Sequence, residues 1–332
     1  MKNRAFFIIL ISILLTSVTS CRKVIDFSGE ITDPYLVMVS QPQADSVWTV
    51  RVSQSRFFLS NDTIPLIANA QVYMMVNGEN ANGMATYLGD GRYTSGIRPK
   101  PGDSLSLRVV VPERGEMTAG CRVPTQPIVS DAEIIIDTTM ECQIWTDYND
   151  STHYEYYVNG DAVFKIKIHD PADQKNYYML RVARILDDDD PDYLYITVDD
   201  NVLFDIDATE EVFDLGLQDD GSYGNRVMFT DERINGTTHT VSARVYYGSV
   251  TSFDYGNPTS FSLNPTQIEV YSISRDLYLY LKTVKAAESQ DEFTQIFSEP
   301  VQIYSNVNGG IGILGAASKS VIKLQTSKKK DV

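Results

Sequence analysis

Ser104-Leu105-Ser106-Leu107-Arg108-Val109-Val110-Val111, SLSLRVVV, decides the fold. Leu105, Leu107, Val109 and Val111 recur every second residue, which places them on one face of a strand and leaves serine and arginine on the other. Working outward, the same grammar repeats in short runs: YLVMVS (35–40), WTVRVSQS (48–55), AQVYMMV (70–76), ATYLGDGRYTS (85–95) and TAGCRV (118–123). Asp90-Gly91 marks a hairpin turn, because both turn positions need a positive φ. Six or seven short strands in about 90 residues predict an immunoglobulin-like β-sandwich over residues 34–124.

VPTQPIVS (123–130) carries two prolines and reads as the exit from that sandwich. Beyond it Phe164, Ile166 and Ile168 alternate with Lys165 and Lys167, and NYYMLRVARIL, NRVMFT and HTVSARVYY continue the strand pattern. The spacing predicts one helix near 274–288: Ser274 is a natural N-cap, and Leu277, Leu281, Val284 and Glu288 follow one another at a turn's interval. The fold class expected is therefore mostly β. An antiparallel β domain with a late α-helix, residues 125–326, follows the sandwich, and a basic tail, 327–332, closes the chain.

The first twenty residues are read differently. Lys2 and Arg4 precede AFFIILISILL (5–15), an apolar run shorter than the roughly 20 residues that span a bilayer, which matches the apolar region of a secretory signal. Val18-Thr19-Ser20-Cys21 then resembles a bacterial lipobox. Cys21 is thus expected to become residue one, to carry a diacylglyceryl group on sulfur and an acyl chain such as palmitate on its amine. Two or three chains give stable anchoring where one is marginal. Residues 21–33 form the tether, and contact with the membrane is expected through the lipid alone.

Lys and Arg number 28 against 44 Asp and Glu, a net charge of −16, and cleavage after Ser20 removes two further positive charges. Such a balance repels nucleic acid, whose binding depends on neutralising phosphates with Lys and Arg. With Cys21 lipidated, Cys121 and Cys142 remain either as a disulfide or as two free thiols, both open in an exported compartment.

Catalytic spacing is sparse. His153, His169 and His239 stand far apart, with no H-E-x-x-H, and no G-x-S-x-G elbow occurs. The run DDDDPDYLY (187–195) reads as a solvated loop. Asp188 and Asp190 are the candidate cation ligands within it, although the Ca²⁺-loop pattern with its closing glutamate is missing. Tyrosines cluster at Tyr154, Tyr156 and Tyr157 and at Tyr177 and Tyr178, where they suit strand positions or, alternatively, a sugar-stacking surface. Gly310, Gly312 and Gly315 stand at G-x-G-x-x-G spacing, but too few residues follow for the βαβ unit of a dinucleotide site. They are read, with Gly309, as backbone devices: a positive-φ turn or a close approach, predicting a tight C-terminal hairpin. No cofactor and no catalytic residue is expected.

Taken in order, VIDF (24–27), PYLVMVS (34–40), IANAQVYM (67–74), GRYTS (91–95), PGDSLSLRV (101–109), VPTQP (123–127), KIHDPADQKNYYMLRV (167–182), MFTDERINGTTHTV (228–241), RDLYLYLKTV (275–284) and FSEPVQIYSNVNGGIGILGA (297–316) resemble a family of exported Bacteroidota lipoproteins, the domain of unknown function DUF4249. The family carries no established activity. The resemblance implies an outer-membrane lipoprotein, often encoded beside a TonB-dependent receptor, acting as a non-enzymatic binding or accessory module in uptake of a ligand it does not specify. A structural or adhesive surface protein is the alternative, and a surface hydrolase with paired carboxylates a third. Arg22-Lys23 stands where surface-displayed relatives carry acidic residues, which leaves both membrane faces open.

Overall fold

A computed structural model describes residues 33–57, 60, 62–80, 82–148, 151–185, 191–194, 196–198, 200, 202–203, 213–214, 225–253, 260–261, 266–288, 301–324 and 330–331. The first strands are β1 (Leu36–Ser40), β2 (Thr49–Gln54), β3 (Gln71–Val76), β4 (Thr86–Gly89), β5 (Arg92–Thr94), β6 (Ser104–Val111) and β7 (Gly115–Arg122). The alternation in SLSLRVVV places Leu105, Leu107, Val109 and Val111 in the core. They meet Met38, Trp48, Val50 and Val52 from the opposite sheet. Trp48 is fully buried and its indole N–H donates to Ser40 Oγ at 2.8 Å, so the polar end of the ring is satisfied inside the sandwich. Asp90 and Gly91 both take positive φ, 49° and 70°, and turn β4 into β5 as expected.

The second half contributes β8 (Ile128–Thr146), β9 (Thr152–His169), β10 (Tyr177–Ile185), β11 (Pro191–Tyr193), β12 (Ile196–Val198), β13 (Phe213–Asp214), β14 (Asn225–Thr230), β15 (Thr238–Phe253), β16 (Ser260–Phe261) and β17 (Thr266–Ile273). Helix α1 (Arg275–Glu288) and strands β18 (Ile311–Leu314), β19 (Ala317–Leu324) and β20 (Lys330–Asp331) complete the order. Strands β12-β15-β9-β8 form one sheet, and β13-β14-β10-β17-β19, with β11 on β10, form another. Phe164, Ile166 and Ile168 from the first pack on Leu180, Val182, Ile268 and Val270 from the second. The outer face of the second sheet, through Met179, Tyr271 and Ile273, is covered by Leu277, Leu281 and Val284 of α1. The molecule is mostly β with one late helix, as the period-two patterns implied.

The glycine stretch departs from the expected hairpin. Strand β18 pairs in parallel with β1, Met38 opposite Gly312, and so extends the first sheet from the far end of the chain. Gly312 takes φ +127°, and a Cβ there would lie 1.9 Å from the Met38 carbonyl oxygen. Gly315 lies against α1, where a Cβ would stand 2.7 Å from that of Leu277. The backbone reading of these glycines holds, but the device is a tuck between β1 and α1 rather than a turn. Val307, Leu314 and Ala316 accordingly join the first core. The proline-bearing exit is fastened to the same region: Ser318 and Ser320 hydroxyls donate to the carbonyls of Pro124 and Pro127, each at 2.6 Å.

Candidate functional site

Three segments far apart in sequence, together with Gly102, line a cleft of about 350 Å³. The exit from β7 supplies Arg122, Val123, Pro124 and Thr125, the turn before β10 supplies Gln174 to Tyr177, and the junction of β17 with α1 supplies Ser272 to Asp276. All three lie in stretches that carry the family resemblance or adjoin one. The size falls in the range of small-molecule sites, roughly 300–1,000 Å³.

Ser274 builds the floor. Its Oγ accepts from the N–H of Leu277 at 3.3 Å, capping α1, and from the N–H of Ala316 at 3.1 Å. Its own N–H donates to the Ala316 carbonyl at 2.8 Å. One serine therefore starts the helix, as expected of an N-cap, and pins the glycine stretch beneath it. The first turn of α1, Ser274 to Asp276, thus lines the cleft.

Asn176 fixes the lip. Its side-chain amide donates to Asp170 Oδ1 at 3.1 Å and its backbone N–H to Asp231 Oδ2 at 2.6 Å. Asp170 also accepts from the Tyr178 hydroxyl at 2.6 Å and from the Gly236 N–H at 3.0 Å. Both carboxylates are buried. Burial pushes the Asp231 carboxyl above its ordinary value, against the pull of the Asn176 N–H. Burial, then the hydrogen bond to Asp170, pushes the Tyr178 phenol well up. The Asp-Pro-to-Asn-Tyr-Tyr stretch and the Asp-to-Asn-Gly stretch, separate in sequence, thus form one buried network whose work is to hold the turn.

The cleft is cationic. Arg122, Lys175 and Arg275 are exposed around it, and Arg122 Nε donates to the Gly102 carbonyl at 3.2 Å. Asp276, the single carboxylate in the lining, accepts the hydroxyl proton of Tyr304. Tyr177 forms an aromatic wall, its ring 5.0 Å from that of Tyr278. With one carboxylate, this lining does not supply the acid/base pair that a glycoside hydrolase would use.

The residues singled out by sequence fall elsewhere. Cys21, Asp188 and Asp190 lie outside the described residues, as do the side chains of Cys142, Tyr154, Tyr156 and Tyr157. Cys121 is a free thiol packed against the first core. Burial, with the Asp276 charge beside it, pushes that thiol up to about 12. No group of three His, Cys, Asp or Glu suited to a metal occurs among the described residues.

The histidines sit on or beside strands with local partners. His169 lies 2.8 Å from both Ser130 Oγ and Thr238 Oγ1, hydroxyls on the flanking strands. His239 meets Asp200 at 2.7 Å, and His153 meets Asp147 at 3.3 Å while stacking on Trp145. Sequence reasoning missed Arg122, Lys175 and Arg275, because isolated cations on three separate loops carry no spacing signal.

The family model described as a domain of unknown function, DUF4249, matches residues 23–323. Among solved structures, a protein of Corynebacterium diphtheriae described as membrane anchored is similar at 10% identity and TM-score 0.22, over 87% of this chain and 59% of that one. The chain thus matches little more than half of that protein's length. A carbohydrate-binding module of the β-sandwich superfamily is similar at 12% identity and TM-score 0.19, over 68% of this chain and 97% of that one. Likeness this weak bears on neither ligand nor activity. No curated protein matches the chain.

Proposed function

This chain belongs to the DUF4249 family, and from that premise we propose that it is a lipid-anchored, non-enzymatic binding or accessory module of the outer membrane. It works with a TonB-dependent receptor in the uptake of a small ligand. The observation that carries the reading is the cleft, because it is assembled from the segments that make the chain recognisable as a family member. Folding alone would not require those segments to enclose a space of ligand size. The lipobox at Cys21 supports the anchor, and the acidic composition supports a partner other than nucleic acid.

Affinity capture of the native lipoprotein from outer membrane, with identification of what comes with it, tests the partnership. A TonB-dependent receptor in the eluate and slowed uptake on deletion are expected. Capture without such a receptor, together with unchanged uptake, overturns the reading. Loss of surface attachment without loss of uptake would favour the adhesive alternative instead.

A further inference from the structure

We propose that the cleft between Pro124, Tyr177 and Ser274 binds a small anion, a molecule presenting a carboxylate or phosphate group beside an apolar portion. This deepens the uptake reading and rests on it for its setting, while the binding itself is a property of the purified chain.

The argument begins with charge. Carboxylates outnumber cations 44 to 28 in this chain, so a lone lysine or arginine readily finds a counter-charge. Around the cleft Arg122, Lys175 and Arg275 converge from three segments, and none forms an ion pair with a carboxylate among the described residues. Asp276, the one carboxylate in the lining, accepts from the Tyr304 hydroxyl, which also meets Arg275, and offsets one of the three charges. Three cations against one lining carboxylate leave a positive surplus around a concave space, an arrangement an oxyanion completes through charge-assisted hydrogen bonds.

Shape points the same way. The space, about 350 Å³, exceeds what a bare ion needs. The Tyr177 ring, backed by Tyr278, offers a flat wall for a ligand's uncharged part. The turn carrying Lys175 and Tyr177 is held by the buried Asp170 and Asp231 network, so the site is set before a ligand arrives.

The test is calorimetry on the full chain in detergent at low salt, with inorganic phosphate, succinate and glucose as probes. Saturable binding of phosphate or succinate, but not glucose, is expected, and which anion binds tells phosphate chemistry from carboxylate chemistry. Lys175→Glu and Arg275→Glu, both at exposed positions, should each weaken binding about tenfold or more. Together they should abolish it, with the melting temperature of the ligand-free chain unchanged. Should the reversals perturb folding, Lys175→Gln and Arg275→Gln give the same comparison with less charge change. Binding of neither anion, or binding that survives both substitutions, overturns the site. If that happens while receptor capture succeeds, the uptake reading stands and the anion site alone falls.

Discussion

The Tyr178 hydroxyl donates to Asp170 Oδ1 at 2.6 Å, and both groups are buried. Asp170 also receives the Asn176 amide and the Gly236 N–H. Asp170→Ala would strand the Tyr178 hydroxyl and the Gly236 N–H, the Asn176 amide keeping the Pro171 and Gln174 carbonyls, and should cost about 3–5 kcal/mol, whereas Asp170→Asn, which keeps an acceptor oxygen, should cost less. Urea unfolding of the two variants beside the parent checks the order, and equal costs would show that the network does not act as a unit.

Gly312→Ala should be among the most damaging single-methyl additions in the chain. It would force φ +127° on an L residue and drive a Cβ against the Met38 carbonyl. Losses of about 3 kcal/mol or more are expected from strain and displaced strand pairing. A melting temperature within a degree of the parent's would contradict the tuck of β18 against β1.

Ser274→Ala removes an acceptor shared by Leu277 and Ala316. The helix cap alone is worth about 1 kcal/mol, and the second donor adds a comparable amount. Faster hydrogen exchange at both amides, read together, separates this shared role from a simple cap.

Two buried carboxyls give opposite pH signatures. Burial would raise Glu269, but hydrogen bonds from Tyr271 and Lys319 and the charges of Lys319 and Arg181 outweigh it and hold its carboxyl below the ordinary value. Glu269 therefore contributes stability that is full above the unfolded pKa and is lost as pH falls through the lowered one. Asp231, raised by burial, acts in the opposite sense: its protonated form favours the fold, and stability falls as pH climbs from the ordinary carboxylate value through the raised one. Melting temperature followed across the acid range should show Glu269→Gln flattening the acid limb. Asp231→Asn should flatten the limb just above it.

Cys121, with its thiol at about 12 against an ordinary 9.0, carries roughly a thousandfold less thiolate near neutral pH. Alkylation should be slow in the native chain and rapid in urea. Fast native labelling of Cys121, located by peptide mapping, would show that the thiol is not held in the packing. Cys21→Ser, by contrast, should release the protein from the membrane fraction, and retention there would count against the lipid anchor.

The sandwich was legible because SLSLRVVV and its neighbours obey a two-residue period that only a half-buried strand satisfies. The helix was legible because Ser274 and Leu277, Leu281 and Val284 sit at cap and turn intervals. What sequence could not show is what depends on tertiary closure. The glycines announced a backbone constraint without saying which strand imposed it, since the Met38 carbonyl lies at the other end of the chain. Lys175 and Arg275 looked like ordinary surface charges until the fold set them round one space. Asp170 and Asp231 were visible as parts of familiar-looking stretches, but their meeting at Asn176 was not.

The parallel pairing of Val37 with Ile311 joins residues about 270 positions apart, the kind of contact that closes late because the intervening chain must first be gathered. The β1 edge of the first sheet therefore stays unfilled until the last strands arrive. Strand β18 thus covers what would otherwise be a sheet edge: a chain truncated before Ile311 presents β1 unpaired, open to pairing with another chain, whereas a chain that reaches Leu314 closes it.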